Sequence, residues 1–280
     1  MSENPSLFGV PATDTAREQK IRKDWIEACQ FHPLSNGQVL GQVLDWIRKD
    51  RTDRHILPVL LLDLDSTLYE VGPRSHQILK EWIDSVESRP FGKTRDRLAA
   101  VQSHEVGYSL LDTFTHIGLS PAEEEVSGAL KSAKNFWRKR FFTDHYLSFD
   151  HAYPGAAEWV QEAYDLGTEI IYLTGRDEPG MGKGTRGRLI QDGFPFDRER
   201  THLLLKKSFE LDDLDHKTKA AEYVKRTGNL VASFENEPPN LIALSDIFPA
   251  AMHVFVDTVY SDRPAPVQAG LYRITGFDRS

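Results

Sequence analysis

The chain has 280 residues, 40% of them hydrophobic and 27% charged, with a formal net charge of -8. That is a globular balance, large enough for one big domain or a core carrying an insertion. The acidic excess argues against general nucleic-acid affinity, which needs a basic face. No apolar run approaches the ~20 residues that cross a bilayer, so no membrane association is expected.

The amino-terminal Met1-Ser2-Glu3-Asn4-Pro5 lacks the basic region and apolar core of a signal peptide. Cys29 is the single cysteine, so no internal disulfide can form, and a reducing cytoplasm is the expected location. Residues 13–30 read as a charged, weakly amphipathic helix with Ile21, Trp25 and Ile26 on one side. Residues 37–49 read as another, with Val39, Leu40, Val43, Leu44, Trp46 and Ile47 apolar. Residues 1–56 carry no evident chemistry and are expected to form a helical extension that packs on the core.

The apolar run from Ile56 to Leu62, interrupted by Pro58, has the character of a buried parallel strand. It ends in Asp63 and Asp65, one residue apart. Open α/β sheets place ligands at the carboxyl ends of their strands, so two carboxylates are delivered to such an edge. They share a face if the strand continues; a turn after it aims them from different sides. An Asp-Ser pair after a strand also suits a simple helix-entry turn. The hydroxyl of Thr67 strengthens the chemical reading, as a partner for a carboxylate or a phosphate oxygen.

The next hundred residues look helical. Ile78, Leu79, Trp82 and Ile83 lie at helical spacing in 75–86, and 95–106, 108–117 and 121–142 continue the pattern. Ser120 followed by Pro121 and two glutamates predicts a capped helix start. The stretch is too long for an ordinary crossover, so residues 73–150 are expected to be an inserted helical cap. Residues 57–72 and 151–280 are then the core. Tyr153-Pro154-Gly155 punctuates the return, and a helix over 156–166 ends at Gly167. Strands follow at 169–173, 202–205, 230–234 and 253–256. Helices lie between them at 217–226, closed by Gly228, and from about 239. Alternating strands and helices predict an α/β fold, a Rossmann-like three-layer parallel sheet core with the inserted α-helical cap.

The strand ends carry polar groups that such a sheet gathers on one edge: Asp63 and Asp65, then Thr174-Gly175-Arg176, then Lys206, Lys207, Lys217 and Lys219, then Glu235-Asn236-Glu237 and Asn240. In the order and spacing of these motifs, Asp63-Leu64-Asp65-Ser66-Thr67-Leu68 and Tyr172-Leu173-Thr174-Gly175-Arg176 above all, the chain resembles the haloacid dehalogenase superfamily. The resemblance covers roughly residues 57–72 and 151–257. It implies a nucleophile at Asp63 that forms an aspartyl-phosphate, and an acid/base at Asp65. It also implies a phosphoryl hydrogen bond from Thr174 and a neutralising lysine. Mg²⁺ would sit on Asp63, the backbone carbonyl of Asp65 and an acid of the fourth motif. Thr67, Gly175 and Arg176 are the candidate substrate-binding positions.

Two positions depart from the family or stay open. The fourth motif begins with Glu235 where aspartate is usual, which keeps the charge and adds one methylene of reach; the competing role is a helix cap before Pro238 and Pro239. Lys217, at a helix start, is favoured as the lysine, with Lys206 the alternative. Arg176 serves either a substrate phosphate or the neighbouring loop. The run Gly180-Met181-Gly182-Lys183-Gly184-Thr185 lacks the context of a P-loop and reads as a flexible loop. Arg138-Lys139-Arg140 reads as the wet face of a helix, and His104, His116, His145 and His151 have no metal-ligand spacing, His145 or His151 being placed to reach the cap–core junction.

The expected function is a Mg²⁺-dependent phosphohydrolase acting on a small phosphorylated metabolite. The alternatives are a phosphomutase of the same superfamily and a non-catalytic binding protein on a decayed site. Asp65 argues against a dehalogenase, which needs no acid there. The oligomeric state is not legible.

Overall fold

The computed structural model describes residues 23–52 and 57–279. The expected helix over 13–30 and the run beginning at Ile56 therefore lie partly outside the described residues. A helical stretch over 23–28 leads into β1 (Gln30–Phe31), α1 (Asn36–Thr52), β2 (Pro58–Leu62) and the two-residue β3 (Tyr69–Glu70). Helices α2 (Gly72–Asp84), α3 (Gly92–Leu98), α4 (Leu110–His116) and α5 (Glu124–Phe141) follow, then β4 (His151–Ala152). Short 3-10 turns at Val86–Ser88, Ser103–Glu105 and Asp144–Phe149 complete this unit. The rest alternates: α6 (Ala156–Asp165), β5 (Glu169–Asp177), α7 (Glu178–Gln191), β6 (Thr201–Lys206), α8 (Asp213–Thr227), β7 (Asn229–Glu235), α9 (Pro238–Ile247), β8 (Met252–Val256) and β9 (Ala269–Ile274).

Seven strands form one parallel sheet in the order β1-β9-β8-β7-β2-β5-β6. Every residue of β2 is buried, because both faces of the sheet are covered. Its side chains divide by the period of two. Leu60 and Leu62 pack with Val39 and Leu40 of α1 and Trp159 and Val160 of α6. Val59 and Leu61 pack with Ala220 and Val224 of α8 and Leu244 of α9. This is a three-layer α/β, Rossmann-like core. Among the described residues no helix is long and apolar enough to cross a membrane.

The chain leaves the core through β3 and returns through β4. These two strands pair antiparallel, with Tyr69 opposite Ala152 and Glu70 opposite His151. Between them the helices bury an apolar cluster of their own around Ile78, Trp82, Phe114, Ala129 and Phe136. Gly72 is the first residue of α2, so no loose linker precedes the helical unit.

Several local expectations are corrected. The glycine-rich run after Arg176 is not a loop: it is the body of α7, capped by Asp177, whose carboxylate accepts from the Gly180 N–H at 2.9 Å. Its glycines permit close packing. A Cβ on Gly180 would stand 2.8 Å from the Phe142 carbonyl oxygen, and one on Gly184 would stand 2.9 Å from that of Asp144. Ser120 caps a turn, and α5 starts at Glu124. The expected helix over 95–106 is the short α3 plus a 3-10 turn. Gly228 ends α8 in extended backbone, φ 173°, where the Leu57 carbonyl leaves no space for a Cβ. Neither β1 nor β9, the last two strands on one side of the sheet, has a local signature, β1 being two residues long and β9 broken by Gly270.

The glycines of α7 yield a two-sided test. Gly184→Ala should lower stability by about 1–3 kcal/mol, because backbone must shift to admit the methyl. Gly187→Ala, in the same helix with no atom within 4 Å of the added carbon, should raise it by up to about 1 kcal/mol. Urea unfolding midpoints of the two variants check this, and shifts of the same sign would refute the close packing.

Candidate active site

β2 stops at Leu62, but the Asp63 N–H still donates to the Phe234 carbonyl at 3.1 Å, which seats Asp63 beside the end of β7. The chain then turns sharply. The Leu64 carbonyl accepts from the N–H groups of Thr67, Leu68 and Tyr69 at 2.9–3.1 Å. Ser66 takes a left-handed φ of 61° inside this turn, a conformation unfavourable for a residue with a Cβ. It is held there by its N–H bond to the Tyr69 carbonyl, 2.7 Å, and by the Thr258 hydroxyl donating to its carbonyl. Asp63 and Asp65 thus border one cavity yet face different partners.

Asp63 meets Lys217. The ammonium donates to Asp63 Oδ1 at 2.7 Å and to Glu235 Oε2 at 2.5 Å. All three are buried, with 6%, 3% and 1% of their surfaces exposed. Two carboxylates share one ammonium in a dry setting. Burial pushes the Asp63 carboxyl up to about 8 against the pull of Lys217, with Glu235 adding to the rise. Burial acts to lower Lys217, but the two carboxylates overcome it and raise its pKa. The group therefore has room for one more positive charge, a proton or a metal ion.

Asp65 meets two guanidinium groups. Arg176 donates to its Oδ1 from Nε at 3.0 Å and also from Nη2. Arg74 of α2 donates to the same oxygen at 3.0 Å. Both arginines also bind Asp150, which precedes β4: Arg74 Nε at 2.7 Å to Oδ1, Arg176 Nη2 at 2.8 Å to Oδ2. Burial disfavours the Asp65 anion, yet Arg176 and Arg74 outweigh it and hold the carboxyl well below the usual carboxylate range. Asp65 keeps 31% of its side chain exposed, and the other three are sealed.

The remaining candidates divide. Thr174 is buried beside the cavity, and its hydroxyl accepts from the Arg176 N–H at 3.3 Å. Gly175 lines the cavity where a Cβ would strike Asp213 Oδ2 at 2.5 Å. Arg176 borders the cavity, but its donors go to Asp65, Asp150 and Thr185. Thr67 is fully buried behind the lining and donates at 3.2 Å to Oδ1 of Asn236, which does line the cavity. Lys206 is taken by the carbonyls of Phe209 and Leu211 and by Asp213, so Lys217 is the lysine that reaches Asp63. Glu235 is not the N-cap of α9, which is Glu237, but its Oε1 accepts from the Glu237 N–H at 3.1 Å and so supports the helix entry. Of the histidines, His104 lines the cavity and His151 lies in β4, with its surface exposed. Arg74 and Asp150 were not foreseen. Each is a lone charged residue in a helical or turn context, and nothing at that level separates it from a solvated one.

The cavity holds about 380 Å³, at the lower end of the range for small-molecule sites. Its floor is the core edge just described. Its far wall comes from the helical unit, with Tyr108, Trp137, Phe141 and Phe142. Among the described residues no group of three or more His, Cys, Asp and Glu side chains is arranged to hold a metal. Two hard carboxylates, Asp63 and Glu235, with excess negative charge still fit Mg²⁺, which is commonly bound by one or two carboxylates and keeps several waters.

Comparison with known proteins adds little to this geometry. No family model matches the chain, and the search of curated proteins gives no significant match. Among solved structures it is similar to a candidate phosphatase from Clostridium difficile, at 14% identity and TM-score 0.48, over 79% of this chain and 94% of that one. It is also similar to Protein Tyrosine Kinase A of Mycobacterium tuberculosis, at 13% identity and TM-score 0.48, over the same shares. A haloacid dehalogenase-like family hydrolase of Streptococcus pneumoniae matches at 12% and 0.43, over 76% of this chain and 93% of that one.

Asp150→Asn should cost about 3–5 kcal/mol of stability, since it leaves two buried guanidinium groups with one carboxylate between them. Urea unfolding measures it; a change below about 1 kcal/mol would show the network to be solvated rather than sealed.

Proposed function

We propose that this chain is a Mg²⁺-dependent phosphohydrolase of the haloacid dehalogenase superfamily, acting on a small phosphomonoester through an aspartyl-phosphate. One observation carries the reading: the Lys217 ammonium bridges Asp63 and Glu235 at the carboxyl ends of adjacent strands. That arrangement supplies a nucleophile, a fixed cation against the phosphate, and a second acid positioned for metal. Phosphoryl transfer asks for little more than position and charge balance.

Asp63 Oδ attacks phosphorus as the bond to the leaving oxygen breaks. Lys217 keeps the carboxylate oriented and offsets the incoming charge, and the Thr174 hydroxyl turns to a phosphoryl oxygen. Bound by Asp63, Glu235 and the Asp65 backbone carbonyl, Mg²⁺ would screen the repulsion between these carboxylates and a phosphate dianion. Asp65 then accepts a proton from the water that cleaves the acyl phosphate. The two guanidinium groups favour the anion that this second step needs. Donation to the leaving alcohol in the first step requires Asp65 to carry a proton against both cations. The helical unit acts as a cap that keeps bulk water from the first step, and a reducing cytoplasm is the proposed setting.

Hydrolysis of an aryl phosphate with and without Mg²⁺ tests the reading. Asp63→Asn should cut kcat on the order of 10³-fold or more while the protein stays folded, because an amide is a poor nucleophile. Asp65→Asn should retain slow turnover, down roughly 10²–10⁴-fold. Equal rates for wild type and Asp63→Asn would sink the mechanism.

Glu235 separates metal binding from structure. Glu235→Ala should raise the Mg²⁺ concentration for half-maximal rate, with Glu235→Asp shifting it less because the charge remains. An unshifted Mg²⁺ titration for Glu235→Ala would remove Glu235 from the metal site and favour a binding protein on a decayed site.

A further inference from the structure

The cavity wall makes a demand that the floor does not. Nine carboxylates line the cavity against four cationic side chains. Lys217 and Arg176 are committed to the floor carboxylates. Arg263 stands 3.7 Å from Glu237, with Asp212 and Asp213 also close enough to raise its pKa. Lys134 already has an interaction partner. Arg74 and Lys206, outside the lining, serve Asp65 and Asp213, and carboxylates still outnumber the cations that meet them. A doubly charged phosphate with a neutral or acidic leaving group would therefore enter an acidic chamber.

Two wall groups point to what balances it. Glu70 of β3 lines the cavity half-buried, and its carboxylate makes no hydrogen bond or ion pair among the described residues. Asn240, in the first turn of α9, is only 2% exposed, lines the same cavity, and its Oδ1 has no hydrogen-bond partner. A buried unpaired acceptor is costly, on the order of 1–3 kcal/mol, so a ligand that satisfies it is favoured. Both groups accept hydrogen bonds. In the wall contributed by the helical unit stand Trp137 and Phe142, their ring centroids 5.6 Å apart; Phe141, stacked on Trp137 with centroids 4.2 Å apart, already carries the Arg74 guanidinium over its ring. Aromatic faces attract cations. Acceptors, unbalanced negative charge and aromatic faces are together the surroundings of an ammonium group.

We infer that the substrate's leaving group carries a protonated amine, received by Glu70 and Asn240 beside the aromatic wall. This rests on the phosphomonoester reading and narrows its substrate class to aminoalkyl phosphates. Amine and phosphate then enter as a near-balanced pair, and the unreacting end contributes orientation.

The test uses three esters of similar size: O-phosphoethanolamine, ethyl phosphate and phosphoglycolate, with p-nitrophenyl phosphate as reference, all with saturating Mg²⁺. The full-length protein should show kcat/KM about tenfold or more higher for O-phosphoethanolamine than for ethyl phosphate, with phosphoglycolate lowest; tenfold corresponds to about 1.4 kcal/mol. Glu70→Gln should bring the ratio of the first two close to one, and Asn240→Ala should reduce it in part. Equal kcat/KM for the three alkyl esters alongside turnover of the reference would overturn this inference alone. So would a ratio unchanged in Glu70→Gln. If Glu70→Gln does not fold, the wild-type ranking and Asn240→Ala decide the matter. No turnover of any ester, reference included, would overturn the phosphohydrolase reading and this inference with it.

Discussion

Four charges hold the molecule's two parts together. Arg74 comes from the first helix of the inserted unit, Asp150 from its last turn, Asp65 from the loop after β2, and Arg176 from the end of the neighbouring β5. Arg74, Arg176 and Asp150 are almost completely buried. Such charges are tolerated in a dry setting only when each meets its opposite in good geometry. Lifting the helical unit from the core would break the two bonds that cross between them, Arg74 to Asp65 and Arg176 to Asp150, and leave each guanidinium group with one carboxylate instead of two. The glycines of α7 serve the same end, letting the turn at Asp144–Phe149 lie directly on the helix, with the Gly184 N–H donating to Asp144 Oδ1 at 2.6 Å.

The floor of the cavity thereby splits into two electrostatic halves. Around Asp63 two carboxylates share one cation, and the pair is short of positive charge. Around Asp65 two cations meet two carboxylates and the account closes. Two aspartates a residue apart, alike in sequence, come to differ because the left-handed turn at Ser66 sends them to different partners. One is left demanding a cation; the other is a settled anion.

Much of the core was legible because its causes are local. The continuous apolar run of β2, the alternation of strands and helices, and Gly167 closing α6 at φ 91° all follow from short-range pattern. The reach of Lys217 to Asp63 could be favoured from its place at a helix start, but only the fold brings two residues 154 positions apart into contact. α7 was misread because glycine is a poor helix former, and its reason to be there lies on another element. Thr67 was assigned to substrate, yet its hydroxyl is consumed by Asn236. Arg74 and Asp150 had no local signature at all; their meaning exists only between elements.

The pairing of β3 with β4 bears on how the inserted unit relates to the core. Glu70 and His151 lie directly opposite one another on neighbouring strands, so the gap left by excising everything between them is no wider than a hairpin turn. Geometrically the core could be closed by two residues. Electrostatically the balance would survive as well. Asp150 and Arg74, one charge of each sign, would leave with the excised segment, and Arg176 would be left bound to Asp65 alone at the mouth of an open cleft. The insertion is topologically an appendage and takes no net charge from the network, so its loss would show first in the wetting of the Asp65–Arg176 pair rather than in the folding of the sheet.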